Sequence, residues 1–477
     1  MPPMAEVPLP PGLADALRER LGSGAVVEGD GPVAPYMHEQ RGLYPGQGRL
    51  AVRPASAEEA AEAVRLCRRH GAPVVPQAGN TGTVGGASPR HGGEVVLSLE
   101  RLNRIRQTDA EDGHLVAEAG CTLAEIQQAA AAAGRFFPLS LASEAECRIG
   151  GNLATNAGGL NVLRYGTARE LTLGLEVVLA DGRIWRELKG LRKDNSGYDL
   201  RDLFIGSEGT LGIITAATLR LLPPPRSRRV ALLALAELTP ALGLVRAAQA
   251  ESGDAVVAAE IMSGPALAMG QLLDDAPENP LPGAAWYLLL ELASPDPRAD
   301  LDTALAAALE PAEQAGAVED AVVAPSEGAA ERLWRLRTAI PDGQRRAGAS
   351  IKHDISVLPS EVAAFVPQAL AAVEAAEPGV RPCVFGHIGD GNLHFNLTQP
   401  ADADRAAFLE RWGALNRIVH DEVARFGGSV AAEHGVGQLR RAELARCGDP
   451  LTGELARRIK SALDPEGVLN PGKGAAL

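Results

Sequence analysis

The chain has 477 residues, of which 46% are hydrophobic and 22% charged, and its formal net charge is −14 at pH 7. Its length exceeds what one hydrophobic core usually fills, which predicts two or three globular domains. The negative charge argues against nucleic acid or an anionic membrane as the main partner, because both attract basic surfaces.

The five cysteines are scattered singly and form no C-x-x-C pair, which is typical of proteins in a reducing cytosol. The first 21 residues contain prolines and acids but no long apolar run, so neither a signal peptide nor a transit peptide is expected. No stretch of the sequence approaches the roughly 20 apolar residues that a membrane span needs. We therefore expect a cytoplasmic protein whose membrane association, if any, is peripheral.

The first half predicts capped helices, short strands and a glycine-rich loop. A Ser-x-x-Glu capping box at Ser56 starts a helix that Gly71 ends. Residues 78–86 read A-G-N-T-G-T-V-G-G between two short strands, an order that suits anion binding by backbone amides. The loop lacks both the Gly-Lys-Ser/Thr ending of a P-loop and the G-x-G-x-x-G fingerprint of dinucleotide-binding folds. A mobile surface loop is the alternative interpretation.

A second glycine-rich segment follows a capping box at Thr122. Residues 149–166 read I-G-G-N-L-A-T-N-A-G-G-L-N-V-L-R-Y-G and carry little charge. Because buried backbone must satisfy its polar groups, a large bound ligand explains this composition better than a free linker does. The dipeptide Asp181-Gly182 then predicts an antiparallel hairpin. Three prolines at residues 223–225 predict a domain boundary.

The second half alternates apolar strands with alanine-rich helices, which predicts a sheet covered on one face by helices. A single strand is expected over residues 350–356 and a long helix over residues 406–426. Between them, residues 386–396 read G-H-I-G-D-G-N-L-H-F-N, and Glu433-His434 follow the helix. Two histidines and a Glu-His pair suit a divalent metal and the oxidation of an alcohol. A tight turn with hydrogen-bonded histidines is the alternative.

Several motifs together resemble one flavoprotein family. P-Q-A-G-N-T-G at residues 76–82, G-G-N-L-A-T-N-A-G-G at 150–159 followed by R-Y-G, and G-S-E-G-T-L-G-I-I-T at 206–215 resemble the FAD domain of vanillyl-alcohol oxidase type flavoproteins. The second half is similar to their FAD-linked oxidase C-terminal domain. The nearest branch contains D-2-hydroxyglutarate and D-lactate dehydrogenases and the glycolate oxidase flavin subunit.

This resemblance implies an α+β fold with a divided FAD-binding domain. Residues 1–225 would form the FAD-binding domain as two subdomains, and residues 226–425 would form an α+β substrate domain. Residues 426–477 would return to the FAD domain and the active site.

The resemblance implies non-covalent FAD, because members with covalent flavin have a histidine in the first loop, where this chain has Gln-Ala-Gly-Asn at residues 77–80. The first loop would hold the diphosphate, the second segment would line the isoalloxazine and ribityl chain, and Asn470 would close over the flavin. The residues so assigned are Pro76, Gly79, Asn80, Thr81 and Gly82; Gly151, Asn152, Thr155, Asn156, Gly158, Gly159 and Tyr165; Glu208, Gly209 and Ile214 near the adenosine half; and Asn470.

The resemblance also implies a zinc site formed by His387, His394 and Glu433. Three protein ligands leave coordination positions open, as catalytic zinc sites do. His434 would be the general base for the substrate hydroxyl, and a hydride would pass to flavin N5. Asn396 would contact the substrate. The same ligands also suit manganese, cobalt or iron.

Arg337 and Lys352 would bind the distal carboxylate of a D-2-hydroxyglutarate substrate, although a surface cation is the alternative for each. The chain departs from the family pattern at Pro341, where relatives have a hydroxyl side chain, because proline donates no hydrogen bond. The expected reaction oxidises a D-2-hydroxy acid to the 2-oxo acid. D-2-hydroxyglutarate is the first choice, and D-lactate, D-malate and glycolate are the alternatives.

The expected electron acceptor is an electron-transfer flavoprotein, a quinone or a cytochrome. A flavin subunit that passes electrons to an iron–sulfur partner in a glycolate oxidase type complex is a rival interpretation, and a glycine-rich binding protein without flavin is a non-enzymatic one. The sequence leaves the metal, the acceptor and the oligomeric state open, a homodimer included.

Overall fold

The computed structural model describes residues 7–475 of the chain. These residues divide into two compact units. The first unit comprises residues 7–159, 166–224 and 433–475, and the second comprises residues 160–165 and 225–432. Among the helices of residues 7–475, none is both long enough and apolar enough to cross a membrane. All five cysteines are free thiols.

The helices are α1 Leu13–Leu21, α2 Asp30–Met37, α3 Ala57–His70, α4 Leu123–Ala132, α5 Ile149–Ala154, α6 Val162–Tyr165, α7 Arg201–Phe204, α8 Ala241–Glu251, α9 Gly264–Gly270, α10 Leu301–Gln314, α11 Glu327–Thr338, α12 Ile340–Ala347, α13 Val362–Ala376, α14 Arg405–Glu410, α15 Trp412–Arg425, α16 Arg441–Cys447 and α17 Pro450–Leu463. Short 3-10 turns lie at Ser23–Ala25 and Pro359–Glu361.

The strands are β1 Val26–Glu28, β2 Leu50–Val52, β3 Val74–Gln77, β4 Val95–Ser98, β5 Ile105–Asp109, β6 His114–Glu118, β7 Thr172–Val178, β8 Ile184–Glu187, β9 Ile213–Arg220, β10 Ser227–Leu235, β11 Val256–Ser263, β12 Trp286–Ser294, β13 Asp320–Val323, β14 Ser350–Ile351, β15 Asp354–Ser356, β16 Arg381–His387 and β17 Asn392–Thr398.

Two sheets form the first unit. The four-stranded sheet has the order β1-β2-β4-β3, with β2 and β3 parallel to β4. The five-stranded sheet is antiparallel, in the order β5-β6-β9-β7-β8. The tail joins β3, because the Val74 N–H donates to the Val468 carbonyl (2.7 Å) and the Asn470 N–H donates to the Val74 carbonyl (2.8 Å).

Local sequence signals of the first unit are confirmed. The Ser56 hydroxyl accepts the Glu59 N–H at 3.1 Å at the start of α3, and Thr122 forms a complete capping box with Glu125 at the start of α4. Strands β7 and β8 form the predicted hairpin, in which Gly182 adopts a φ of 78°. These features depend on residues close in sequence, so the sequence alone could predict them.

An eight-stranded antiparallel sheet forms the second unit, in the order β13-β10-β12-β11-β16-β17-β14, and β15 also pairs with β17. Helices α8, α10, α13 and α15 bury apolar residues against one face, and α9, α11 and α12 do so against the other. The prediction of helices on one face only was therefore wrong. The physical reason lies in strands such as β10, whose residues 230–235 are buried on both faces.

Two further predictions for this unit need correction. The expected strand over residues 350–356 is interrupted between β14 and β15, because the His353 N–H donates to the Asn396 side-chain oxygen (3.1 Å) and not to a strand carbonyl. The expected helix over residues 406–426 is divided into α14 and α15 at Arg411, whose N–H donates to the Phe408 carbonyl (3.0 Å), three residues earlier.

Candidate active site

The backbone conformation of the first unit singles out residues assigned to FAD. Among the described residues, five non-glycine residues have a positive φ, and four of them are Asn80 (54°), Asn156 (50°), Glu208 (52°) and Asn470 (42°). Such conformations cost on the order of 1–3 kcal/mol each and persist only where the surrounding structure imposes them. All four lie in segments that the sequence predicted to surround the cofactor.

Close packing brings the glycine-rich segments of the first unit together. A Cβ atom added to Gly79 would lie 2.6 Å from the Glu146 carbonyl oxygen, and one added to Gly209 would lie 2.9 Å from the Pro76 ring. Gly82, in contrast, is exposed, and a Cβ atom there would meet nothing within 4 Å. The first loop is thus held at its base and open at its tip.

Asn470 connects three of the predicted cofactor segments. Its Nδ2 donates to the carbonyl oxygens of Gly86 (3.1 Å) and Glu208 (2.8 Å). Its Oδ1 is buried, and no described residue donates a hydrogen bond to it. An orphaned acceptor beside glycine-rich backbone is what a large polar ligand would satisfy, so these residues fit FAD.

The Glu208 carboxylate holds the loop that follows His434. It accepts the N–H groups of Val436 (2.9 Å) and Gly437 (2.8 Å). Burial raises the pKa of this carboxyl group, and the two backbone hydrogen bonds oppose the rise. The structure thus assigns the Glu208 side chain an anchoring role, and its proximity to the adenosine half stays a prediction.

In the second glycine-rich segment, the polar side chains largely stabilise the segment itself. Asn156 Oδ1 accepts the Thr167 hydroxyl (2.9 Å) and the Arg169 N–H (3.0 Å), and the Thr155 hydroxyl donates to the Gly151 carbonyl (3.1 Å). The remaining assigned residues are placed as follows: Asn152, Gly158 and Ile214 are buried, Thr81 and Gly159 are half-buried, and Tyr165 lies on α6 in the second unit.

Sequence reasoning missed Lys473 as a functional candidate. Its side chain is 1% exposed, and among the described residues its Nζ has no hydrogen-bond partner. Burial lowers its pKa to about 7, against the opposing influence of Glu94, while Arg90 lowers it further and Glu208 raises it. A lysine directly after Asn-Pro-Gly in an ordered tail was the available signal.

The two motif histidines lie on one face of the second unit's sheet. Because β17 alternates, His394 and Asn396 share a face, while Leu393 and Phe395 point into the apolar core. His387, at the end of β16, has its ring centroid 5.8 Å from that of His394, and a nitrogen of each ring lies within 4.8 Å of the other. The hairpin therefore brings both imidazoles together.

The Glu-His pair directly follows the last residue of the second unit. Ala432 is the last residue of the second unit, and its N–H donates to the Asp354 carbonyl (3.3 Å). Asp354 lies opposite His394 in the β15–β17 ladder. Glu433 follows Ala432 directly, and His434 Nε2 lies 3.3 Å from Glu433 Oε1.

A second residue that sequence reasoning missed is Glu260, which is 0% exposed on β11. Its Oε1 lies 2.5 Å from His387 Nδ1, and its Oε2 accepts the Arg337 Nε–H at 2.6 Å. Burial would raise the pKa of this carboxyl group, but its interactions with His387 and Arg337 lower it to about 2. A single acid in the apolar run V-V-A-A-E-I-M was the available signal.

The two cations assigned to the substrate lie in the second unit. Arg337 is 6% exposed, and its guanidinium stacks 4.4 Å from the Phe385 ring centroid, so the surface-cation alternative does not describe it. Burial raises the pKa of the Cys383 thiol to about 12, while Lys352 and Arg337 both lower it. Both cations are thus close enough to act on the same thiol.

The predicted substrate contact Asn396 is 4% exposed and engaged with the protein. Its Nδ2 donates to Gln344 Oε1 (3.1 Å), and its Oδ1 accepts the His353 N–H (3.1 Å). Pro341 lies in the first turn of α12, a position where a missing N–H costs nothing. The substrate contact of Asn396 stays a prediction.

The matches to known proteins decide the family. Residues 224–474 match the model of FAD linked oxidases, C-terminal domain, and residues 49–187 match the model of an FAD binding domain. The chain belongs to the FAD-linked oxidases. It is therefore an FAD-linked oxidoreductase, and the resemblance stated from the motifs is confirmed.

Relatives of this FAD-linked oxidase include mitochondrial D-2-hydroxyglutarate dehydrogenase of Bos taurus, which is 37% identical over 96% of this chain and 82% of the relative. The D-2-hydroxyglutarate dehydrogenase of Xanthomonas citri pv. viticola is 39% identical over 88% of each chain. Solved structures of p-cresol methylhydroxylase (TM-score 0.79, 19% identity, 99% of each chain) and 4-ethylphenol oxidase from Gulosibacter chungangensis (TM-score 0.72, 20% identity, 98% of each chain) are similar in fold. The predicted α+β fold of the vanillyl-alcohol oxidase type is confirmed.

Proposed function

We propose that this FAD-linked oxidase converts a D-2-hydroxy acid to the 2-oxo acid, with D-2-hydroxyglutarate as the preferred substrate. The observation that carries the proposal is the Glu260 carboxylate, which contacts His387 on one side and buried Arg337 on the other. Glu260 therefore contacts both His387, a side chain of a type that binds metals, and Arg337, a cation that could bind the second carboxylate of the substrate. The names of the two dehydrogenase relatives support the same substrate.

The second unit's histidines fit a divalent cation. His387, His394 and Glu433 would be the ligands, and Glu260 beside His387 Nδ1 leaves Nε2 as the nitrogen available to a metal. When bound, a zinc ion would supply Lewis acidity toward the substrate hydroxyl and its neighbouring carboxylate. Manganese, cobalt and iron share this ligand preference.

His434 would accept the hydroxyl proton, as a residue whose ordinary pKa lies near neutrality can. FAD, when bound non-covalently, supplies the acceptor for the hydride that leaves the α carbon. The substrate thus loses one proton and one hydride and becomes the 2-oxo acid. Arg337 and Lys352 would bind the distal carboxylate, and Asn396 would contact the substrate near the metal.

The same residues support a separate function for each of the two units. We propose the first unit as the FAD-binding domain and the second as the substrate domain, with the segment after residue 425 returning to the first. The reduced cofactor would be reoxidised by an electron-transfer flavoprotein, a quinone or a cytochrome.

A substrate panel with a dye acceptor tests the choice of substrate. D-2-hydroxyglutarate should have the highest kcat/KM in a panel that also contains D-malate, D-lactate and glycolate. Pro341 leaves room for D-lactate, D-malate or glycolate, because it withholds the hydroxyl donor that the family pattern provides. A hundredfold preference for D-lactate or glycolate would refute the proposal. An isolated chain without activity on the whole panel would favour a flavin subunit of a larger complex.

A further inference from the structure

Glu260 has an environment unlike that of any ordinary surface acid. All eight residues of β11 are buried, and Glu260 is the charged one among them. In the ladders it lies opposite His387 of β16 on one side and Leu289 of β12 on the other, so both neighbouring strands fix its backbone. A fully buried carboxylate is costly unless charged or hydrogen-bonded groups compensate it.

Its two oxygens serve two different elements. Oε2 accepts from Nε of Arg337 on α11 (2.6 Å), and Oε1 approaches Nδ1 of His387 on β16 (2.5 Å). No described residue donates a hydrogen bond of standard geometry to Oε1, so this second contact is close but not ideally angled.

We propose that Glu260 is a positioning residue that orients two groups at once, the proposed metal ligand His387 and the proposed substrate-binding Arg337. This inference rests on the proposed function. A proton on His387 Nδ1 directed at Oε1 fixes the tautomer in which Nε2 carries the lone pair that a metal needs. The bond from Arg337 uses Nε and leaves the terminal nitrogens for a bidentate contact with a carboxylate.

Glu260 would therefore link metal binding to the recognition of the second carboxylate of the substrate. The distance between the metal ligand and the cation for the second carboxylate is set by one buried side chain in a rigid sheet. The Phe385 ring supports this geometry, because it lies under the Arg337 guanidinium and two residues before His387 on the same strand. A substrate with two carboxylates is the chemical class that such a fixed spacing selects.

The test uses the FAD-bound full chain with Glu260→Gln. We expect Glu260→Gln to cause two losses at once. The first is in zinc affinity, measured on metal-stripped protein against a competing chelator, which should fall by roughly 10- to 100-fold. The preference in kcat/KM for D-2-hydroxyglutarate over D-lactate falls about tenfold or more, because the Arg337 fork is no longer held. Arg337→Met should lose the preference alone and keep the zinc affinity.

Glu291→Gln is the matched control. Glu291 lies on the adjacent strand β12, and its carboxylate accepts from Arg228 Nε (2.8 Å) and Trp334 Nε1 (2.6 Å) and not from His387 or Arg337. The control should keep both zinc affinity and substrate preference. Glu260→Asp serves if the glutamine variant fails to fold, since it retains the charge but is one methylene too short to reach both partners, and it should show both losses.

The outcomes separate this inference from the function on which it rests. Unchanged zinc affinity together with unchanged substrate preference in a folded Glu260 variant would overturn the positioning role and leave the proposed function intact. Loss of stability alone, equal to that of Glu291→Gln, would overturn it as well. A wild-type chain that binds no zinc would overturn the metal part of the proposed function, and with it this inference.

Discussion

The Glu208 carboxylate allows a quantitative prediction for the first unit. It is 9% exposed and accepts the N–H groups of Val436 (2.9 Å) and Gly437 (2.8 Å). Glutamine at this position can accept only one of these bonds, because its other terminal atom is a donor facing an N–H group. Alanine can accept neither.

The expected cost follows from the number of bonds lost. A buried N–H group without an acceptor costs roughly 1–3 kcal/mol, so Glu208→Gln should lose about that much and Glu208→Ala about twice as much. The backbone strain at φ 52° is the same in all three proteins, because each has a Cβ atom. Local opening of the loop at residues 436–437 should then raise amide exchange roughly 5- to 150-fold in Glu208→Gln.

Hydrogen exchange of peptides that cover residues 433–440, followed by mass spectrometry, measures this effect. Glu176→Gln is the control, since Glu176 is 3% exposed and pairs with Arg106 and Arg186 in the five-stranded sheet and not with the loop. It should leave exchange in the loop unchanged. Wild-type exchange rates at both amides in Glu208→Ala would refute the reasoning.

Three other predictions concern buried charge, the base and the metal. Lys473→Met should stabilise the apoprotein against urea by roughly 3 kcal/mol at pH 8, because the lysine pKa falls from 10.5 to about 7 on folding. The free-energy cost of burying the charged lysine is fully present below about pH 7 and disappears above pH 10.5. The stability difference between the variant and the wild type should therefore narrow as the pH rises, and a difference that widens would contradict this prediction. His434→Ala should reduce turnover by about a hundredfold or more while flavin absorbance and metal content persist, and an unchanged kcat would exclude the base role. Removal of metal by a chelator should abolish activity and added zinc should restore it, whereas activity that survives would return His387 and His394 to hydrogen-bonding roles.

The features that the sequence predicted well are local ones. The caps at Ser56 and Thr122 and the Asp181-Gly182 hairpin depend on residues within a few positions of each other. The asparagines of the predicted cofactor segments were assigned from the motifs, and the structure adds that Asn80, Asn156 and Asn470 adopt a positive φ, a conformation that asparagine and glycine tolerate.

The features that the sequence did not predict depend on partners far along the chain. The proposed role of Glu260 depends on its contacts with Arg337, 77 residues later, and with His387, which the sheet register places opposite it. The break before β15 likewise depends on Asn396, 43 residues from His353. Periodicity identifies a buried strand but does not identify the strand that will pair with it.

The most direct test of the proposed function is anaerobic reduction of the purified flavoprotein by substrate. Addition of D-2-hydroxyglutarate without any other acceptor should bleach the flavin absorbance at ~450 nm in one turnover and yield one equivalent of 2-oxoglutarate, because the cofactor takes both electrons. The L enantiomer should leave the spectrum unchanged. A flavin that stays oxidised with every D-2-hydroxy acid, yet is reduced by dithionite, would contradict the account.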